Sequence, residues 1–90
     1  MLHIERMPGE GIIFGRDGRS RIWWSEGRSK ISLDLPPSVS IDRAELWLAK
    51  RLKESGGEIT SDMRPIIDLM QENCPWQLER VDFQNGRLLK

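Results

Sequence analysis

The alternation of apolar and polar residues is clearest in the first third of the chain, over about residues 11–35. Three β-prone runs lie there, separated by Asp17-Gly18 and Glu26-Gly27, which are dipeptides typical of tight turns. The alternation ends at Pro36-Pro37, because proline cannot donate a hydrogen bond to a strand ladder. The pattern predicts an antiparallel β-meander against which the other elements pack.

Pairing the second run with the third across a two-residue Glu26-Gly27 turn separates the side chains into two faces. One face is apolar and carries Ile22, Trp24, Ile31, Leu33 and Leu35. The other face, here called the basic sheet face, carries Arg19, Arg21, Trp23, Arg28 and Lys30. A shift of one residue would mix the two sets, so the separation favours this register, in which Ile22 lies opposite Ile31.

Two registers are open for the first hairpin. A two-residue turn at Asp17-Gly18 pairs Ile13 with Ile22, whereas a three-residue loop with Gly18 in a left-handed conformation pairs Ile12 with Ile22. The second register is favoured because it places Ile12 and Phe14 on the apolar face and exposes one large apolar residue instead of two.

The apolar positions after the prolines recur at helical spacing. The first predicted helix covers about residues 41–55 and ends at Gly56-Gly57. Its core stripe consists of Ile41, Ala44, Leu48 and Leu52. Leu46 and Trp47 lie off this stripe. They either bind a partner or pack beneath the C-terminal hairpin.

A second helix is predicted over about residues 62–73, with Asp62 as N-cap and Pro65 in its first turn. A strand from Trp76 to Phe83 and an Asn85-Gly86 turn then predict a closing hairpin. The order of strands, two helices and strands indicates an α+β fold with both helices on one sheet face. Ninety residues make a single domain, residues 1–90. The predicted core combines residues from the meander and both helices: Trp24, Ile31, Leu33, Leu48, Leu52, Ile67 and Met70.

Composition narrows the class of protein. Fourteen basic and fourteen acidic residues give a net charge of zero, which argues against a dedicated nucleic-acid-binding protein. No apolar run approaches the ~20 residues that span a membrane, and the first residues turn charged at once, unlike a secretory signal. We therefore expect a cytoplasmic protein without a membrane partner.

The chain offers few residues for catalysis. His3 is the only histidine and Cys74 the only cysteine, so a histidine metal cluster and an internal disulfide are both excluded. Cys74 lies on the apolar arc of the second helix, where a thiol normally packs as a small apolar group. Since no nucleophile, base and orienting group come together, we predict no enzymatic activity, no cofactor and no metal.

The basic sheet face is the main functional signal, and Leu46 and Trp47 add apolar surface on the first predicted helix. The predicted partner-binding residues are Arg19, Arg21, Trp23, Arg28, Lys30, Leu46 and Trp47. Tryptophan and arginine often anchor protein interfaces, whereas basic sheets with aromatic residues also bind single-stranded nucleic acid. Because the net charge is zero, we expect a small binding or regulatory module that acts through protein–protein interaction. Nucleic-acid binding by the basic, Trp-containing face is the alternative, and self-association is left open.

Overall fold

The computed structural model describes residues 2–24, 27 and 29–89, and these residues form an α+β fold, as the sequence predicts. The strands are β1 (Leu2–Arg6), β2 (Gly11–Phe14), β3 (Ser20–Trp23), β4 (Ser29–Leu33), β5 (Ile41–Arg43), β6 (Val81–Asp82) and β7 (Arg87–Leu88). The helices are α1 (Ala44–Ser55), α2 (Arg64–Asn73) and the single turn α3 (Pro75–Leu78). No helix among the described residues has the length and apolar character that a membrane crossing requires.

The register of the first hairpin is confirmed. Ile12 pairs with Ile22 across β2 and β3, and Gly18 has a φ of 71°, the left-handed conformation that the three-residue loop requires. The preceding turn is also formed, since the Glu10 N–H donates to the Met7 carbonyl at 3.1 Å. Turn chemistry in the sequence therefore determines the local geometry on both sides of β2.

The predicted pairing of β3 with β4 is wrong. Strand β4 pairs instead with β1, which places Ile31 opposite Ile4 and Lys30 opposite Glu5, while β3, β2 and β5 form a separate sheet in that order. The reason is burial, since Ile4 is buried whereas Ile22, the predicted partner of Ile31, remains 44% exposed. Glu26, in the predicted turn, lies outside the described residues.

The two faces of the meander are consequently reassigned. Ile13, expected to be exposed, is fully buried in the main core, and Ile12 is buried as well, so both faces of β2 are covered. Trp23 packs against the core, whereas Trp24 is half-buried outside it. The expectation that Trp24 is the core tryptophan and Trp23 the surface one is therefore wrong.

Helix α1 begins three residues later than predicted. Residues 41–43 form β5 instead, and Ile41 pairs with Phe14. The β-branched side chain of Ile41 suits this strand position, where it has a cross-strand partner. Gly56 ends the helix in a left-handed conformation, as predicted. Trp47, whose role the sequence leaves open, lies in the core, and its indole N–H donates to the Gly15 carbonyl at 3.1 Å.

The C-terminal third differs in two places from prediction. Asp62 does not cap α2, because its carboxylate accepts hydrogen bonds from Arg51 and Thr60. Pro75 starts the helical turn α3 where a strand from Trp76 was predicted, since proline is preorganised for the first helical position. The closing hairpin of β6 and β7 is confirmed, with a four-residue loop over 83–86 in place of a two-residue turn.

The core lies between α1, α2 and one face of the β3–β2–β5 sheet. Its buried members are Ile13, Ala44, Trp47, Leu48, Leu52, Met63, Ile66, Met70, Cys74 and Val81. Leu48, Leu52 and Met70 confirm the helical part of the predicted core, and Ile67 packs at its edge. The predicted strand residues Trp24, Ile31 and Leu33 are half-buried outside this cluster, and for Ile31 and Leu33 the reason is that β4 joins the other sheet.

Candidate functional site

The basic sheet face predicted from the sequence does not form. Lys30 lies on β4, opposite Glu5 of β1, whereas Arg21 lies on β3 of the other sheet and Arg19 comes just before that strand. Arg28 lies outside the described residues. The shared face required β3 to pair with β4, and the pairing of β4 with β1 separates its members.

Arg19 and Arg21 instead line a shallow groove of mixed charge. Asp17 and Asp62 line the same groove, and the Arg21 guanidinium donates to the Gly18 carbonyl at 3.0 Å. Hydrogen bonds from Thr60 and Arg51 lower the pKa of Asp62, which keeps this carboxylate negative. The two carboxylates offset the two arginines, so the groove does not present the basic surface that a phosphate backbone requires.

The two tryptophans among the predicted site residues are both used inside the fold. The Trp23 indole N–H donates to the Gly9 carbonyl at 2.8 Å, and Trp47 is a buried member of the core. Both indole rings hold the strands against the helices, so neither of them forms an exposed stacking platform.

Leu46 borders a cleft together with exposed apolar and basic side chains. It is 36% exposed in the first turn of α1, next to a cleft of about 160 Å³ between α1, α3 and β7. The cleft is lined by Arg43, Glu45, Leu46, Gln77, Arg80 and Leu88. This set, here called the Leu46 cleft, is the candidate functional site.

A buried arginine supports the cleft from below. Arg6, on β1, is only 4% exposed, and its guanidinium donates to Glu45 Oε1 at 3.1 Å and to the Gly11 carbonyl at 3.3 Å. A second carboxylate, from Glu10, lies 3.8 Å from the same guanidinium. Because an unpaired charge at this depth would be strongly destabilising, these ion pairs fix Glu45 in the wall of the cleft.

Gln77 connects this buried network to the cleft. It is 3% exposed, and its Nε2 donates to Glu10 Oε2 at 2.5 Å. Since a carboxylate accepts hydrogen bonds, the amide nitrogen must face Glu10, and the orientation of the carboxamide is thereby determined. Its Oε1 is buried without a hydrogen-bond partner among the described residues. Leaving such an acceptor unsatisfied costs about 1–3 kcal/mol, so a hydrogen-bond donor that reached this oxygen would be stabilising.

The rim of the Leu46 cleft is both basic and apolar. Arg43 and Arg80 are exposed, and neither guanidinium makes a hydrogen bond or ion pair with any described residue. Leu46 and Leu88 contribute exposed apolar surface beside them. The rim therefore offers two cationic donors next to an apolar contact, a combination typical of protein interfaces.

The net charge of the site follows from its members. Arg6, Arg43 and Arg80 are positive, and Glu10 and Glu45 are negative, so the cleft and the side chains beneath it carry one net positive charge. The free cations lie on the exposed rim, whereas both carboxylates are engaged with Arg6. The accessible part of the site thus attracts an anionic group.

Cys74 and His3 are the single cysteine and the single histidine of the chain, and the structure describes the surroundings of both. Burial raises the pKa of the Cys74 thiol to about 11, and the negative charges of Glu45 and Glu10 add to this effect. At neutral pH the thiol is therefore protonated and a weak nucleophile. His3 lies in the β1–β4 sheet, where its Nδ1 is 2.8 Å from the Ser32 hydroxyl. Across the described part of the chain, no three His, Cys, Asp or Glu residues are grouped as metal ligands.

Most of this site was missed at the level of sequence. Arg6 carried a usable signal, because Ile4 and Arg6 share a face of the alternating strand β1 and both prove to be buried. An arginine that shares the apolar face of an alternating strand indicates a buried ion pair. Glu10, Gln77 and Arg80 carried no such signal, since distant segments of the chain bring them together.

The fold and the cleft define a small α+β protein with a basic and apolar cleft over a buried ion-pair network. No family model, curated protein or solved structure matches the chain. The inference of function therefore depends on the chemistry of the Leu46 cleft.

Proposed function

We propose that this protein is a small non-catalytic module that binds a protein partner through the Leu46 cleft. The observation that carries the proposal is the exposure of Leu46 and Leu88 beside Arg43 and Arg80, whose guanidinium groups make no hydrogen bond or ion pair with the described part of the chain. A partner that buries the exposed apolar side chains and forms ion pairs with the unengaged arginines would gain binding free energy from both contacts.

The size of the cleft supports a peptide segment over a cofactor. Sites for small molecules and cofactors enclose about 300–1,000 Å³. The Leu46 cleft has about 160 Å³, which suits a single amino-acid residue. One residue of a partner would then act as an anchor in the cleft, and the surrounding rim would contact the partner's flanking residues.

Nucleic-acid binding, the alternative from the sequence, has less support. It relied on a basic sheet face, and Arg21 and Lys30 lie in different sheets. The net charge of the chain is zero. We further propose that the protein acts in the cytoplasm, a reducing compartment compatible with the free thiol of Cys74.

The proposal is tested by capture from an extract of the source cells on the immobilised protein, with and without nuclease. Leu46→Gln removes apolar surface from the cleft rim. Ile22→Gln is the matched control, because Ile22 is similarly exposed but lies on β3, away from the cleft. We expect a protein that is retained by the wild type and by Ile22→Gln and is lost with Leu46→Gln.

Two results would contradict the proposal. Equal retention of every captured protein by the Leu46 and Ile22 variants would exclude the cleft as the binding surface. Loss of all captured protein after nuclease treatment would favour nucleic acid as the primary partner. Circular dichroism of both variants checks that they remain folded.

A further inference from the structure

We propose that the Leu46 cleft recognises the free C-terminal residue of a partner chain, with an apolar final side chain. This inference depends on the proposed function and specifies its ligand. Three groups of the cleft each require a different complement: the cationic rim, the unsatisfied Gln77 carbonyl and the apolar rim. A C-terminal residue carries all three complements on one Cα atom.

The cationic rim determines the charge of the ligand. Arg43 and Arg80 line the same cleft and make no ion pair with the described residues, and the site as a whole carries one net positive charge. An α-carboxylate brings one negative charge and accepts charge-assisted hydrogen bonds from guanidinium groups. A phosphate group brings nearly two charges and would lie close to Glu45, so the monoanion is the better complement.

The side-chain carbonyl of Gln77 requires that the ligand supply a hydrogen-bond donor. Its Oε1 has no partner among the described residues, and Glu10 prevents the carboxamide from turning its nitrogen into the cleft. The backbone N–H of a C-terminal residue lies two bonds from the Cα that bears the carboxylate. Because Oε1 is closed to solvent, the side chains that cover it must move apart before a C-terminal residue can pair its carboxylate with the rim and its N–H with Gln77.

The apolar rim and the volume of the cleft determine which side chain the terminal residue of the ligand carries. Leu46 and Leu88 are exposed on the cleft, and about 160 Å³ is enough for one residue. An internal aspartate or glutamate also offers a carboxylate, but its backbone continues in both directions and its own side chain has no apolar end. A terminal apolar residue fits a cleft of this size and offers a partner to the arginines, to Gln77 and to the apolar rim.

The test uses the full chain labelled with ¹⁵N and three acetylated tetrapeptides observed by NMR. The first peptide, Ac-Ser-Gly-Ser-Leu, has a free carboxylate, and the second is the same peptide with a C-terminal amide. The third, Ac-Ser-Asp-Ser-Leu amide, keeps a carboxylate on an internal side chain. We expect the first peptide to shift the backbone amides of residues 43–46 and 77–80, with a Kd of about 1 mM or tighter. We expect both amides to bind at least about tenfold more weakly, as loss of a charge-assisted pair implies.

A fourth ligand isolates the role of Gln77 without altering the protein. In it an ester oxygen replaces the N–H of the final leucine, so the donor is lost and the shape is kept. We expect affinity to fall about fivefold or more, because an acceptor would then face the Gln77 carbonyl. On the protein side, Arg80→Gln should weaken the free-acid peptide about fivefold or more. Arg87→Gln is the matched control, since Arg87 is exposed and paired with Asp82 outside the cleft lining.

The outcomes separate this inference from the proposed function. Equal affinity of the amidated peptides, with shifts at the same residues, would overturn C-terminal recognition and leave a peptide-binding cleft. Absence of cleft shifts with any peptide at about 10 mM would overturn C-terminal recognition too, and the capture experiment would then decide the proposed function independently. Acetate is the final control. Equal shifts with acetate alone would mean that the cleft binds any small carboxylate, which also overturns the inference.

Discussion

The six-membered ring of Trp23 covers Gly11, its partner across β2 and β3. A Cβ atom placed on Gly11 would lie 2.5 Å from Cε3 of Trp23, closer than carbon atoms approach, and the indole N–H reaches the Gly9 carbonyl at 2.8 Å. The absence of a side chain at Gly11 is thus what allows Trp23 to lie against the strand. An aromatic ring over a glycine of this kind stabilises strand pairs.

We expect Gly11→Ala to lower the free energy of unfolding by about 1–3 kcal/mol, because the added methyl group overpacks the Trp23 ring. Chemical denaturation of the single and double variants measures the coupling. In a Trp23→Ala background the cost of Gly11→Ala should nearly vanish, because the clashing ring is gone. Additive costs in the double variant would show that Trp23 does not lie on Gly11.

Trp23→Ala itself should cost about 3 kcal/mol, the lower end of the range for a core aromatic residue, because Trp23 packs on the core and is half-buried. Trp24→Ala provides the comparison, since Trp24 is half-buried outside the core cluster. We expect it to cost about 1 kcal/mol. Urea denaturation of the two variants ranks them, and the reverse order would exchange the roles of the two tryptophans.

Alanine substitutions at Gly86 and Gly56 distinguish the stability cost of backbone strain from that of steric contact. Both have left-handed φ values, 65° and 69°. A Cβ at Gly86 would overlap the backbone nitrogen of Lys53 in α1, whereas one at Gly56 meets no atom within 4 Å. We expect Gly56→Ala to cost about 1 kcal/mol from conformation alone. Gly86→Ala should cost about 1–3 kcal/mol more, since the hairpin must move away from α1. Equal midpoints in thermal unfolding would show that the hairpin does not contact α1.

Substitution of Arg6 tests the contribution of the ion-pair network beneath the cleft to stability. Replacing it with Met leaves the Glu10 and Glu45 carboxylates without their cation, and we expect a loss of about 3–5 kcal/mol in chemical denaturation. The control is Arg16→Met, because Arg16 is exposed in its ion pair with Glu54. That change should cost less than about 1 kcal/mol. Similar losses for the two variants would mean that Arg6 is not a buried partner of the carboxylates.

Asp62 gives a prediction about pH. The Thr60 hydroxyl, followed by Arg51, lowers the pKa of this carboxyl below its ordinary value of 3.8 in the folded chain. A lowered folded pKa contributes stability that is present above pH 3.8 and is lost as pH falls through the folded value. We therefore expect Asp62→Asn to be less stable than the wild type at pH 6, with the difference shrinking below pH 3.8.

The matched control for this measurement is Asp68→Asn, because Asp68 is exposed on α2. Denaturant titrations of both variants from pH 6 to about pH 2.5 record the pH dependence. A difference between Asp62→Asn and the wild type that stays constant across this range would show that the Asp62 carboxyl is not stabilised in its charged form.

The sequence by itself determined the class of the fold and much of its local geometry. Gly18 specified the loop that pairs Ile12 with Ile22, and Gly56 specified the end of α1. The spacing of Leu48 and Leu52 identified the buried face of that helix. These features follow from backbone conformations and side-chain periods within a few residues of the chain, so no distant contact is needed to infer them.

Only the tertiary structure decided the partner of β4, the core tryptophan and the cleft. The alternation in β4 suits a partner strand on either side, and the choice of β1 depends on burying Ile4 against Ile31, more than twenty residues apart in sequence. Trp23 lies on the same side of the β3–β2–β5 sheet as Ile13, and that side packs against the helices. The cleft joins Arg43, Gln77 and Leu88 from three separate elements. Such contacts arise from competition among long-range packings, which local patterns do not encode.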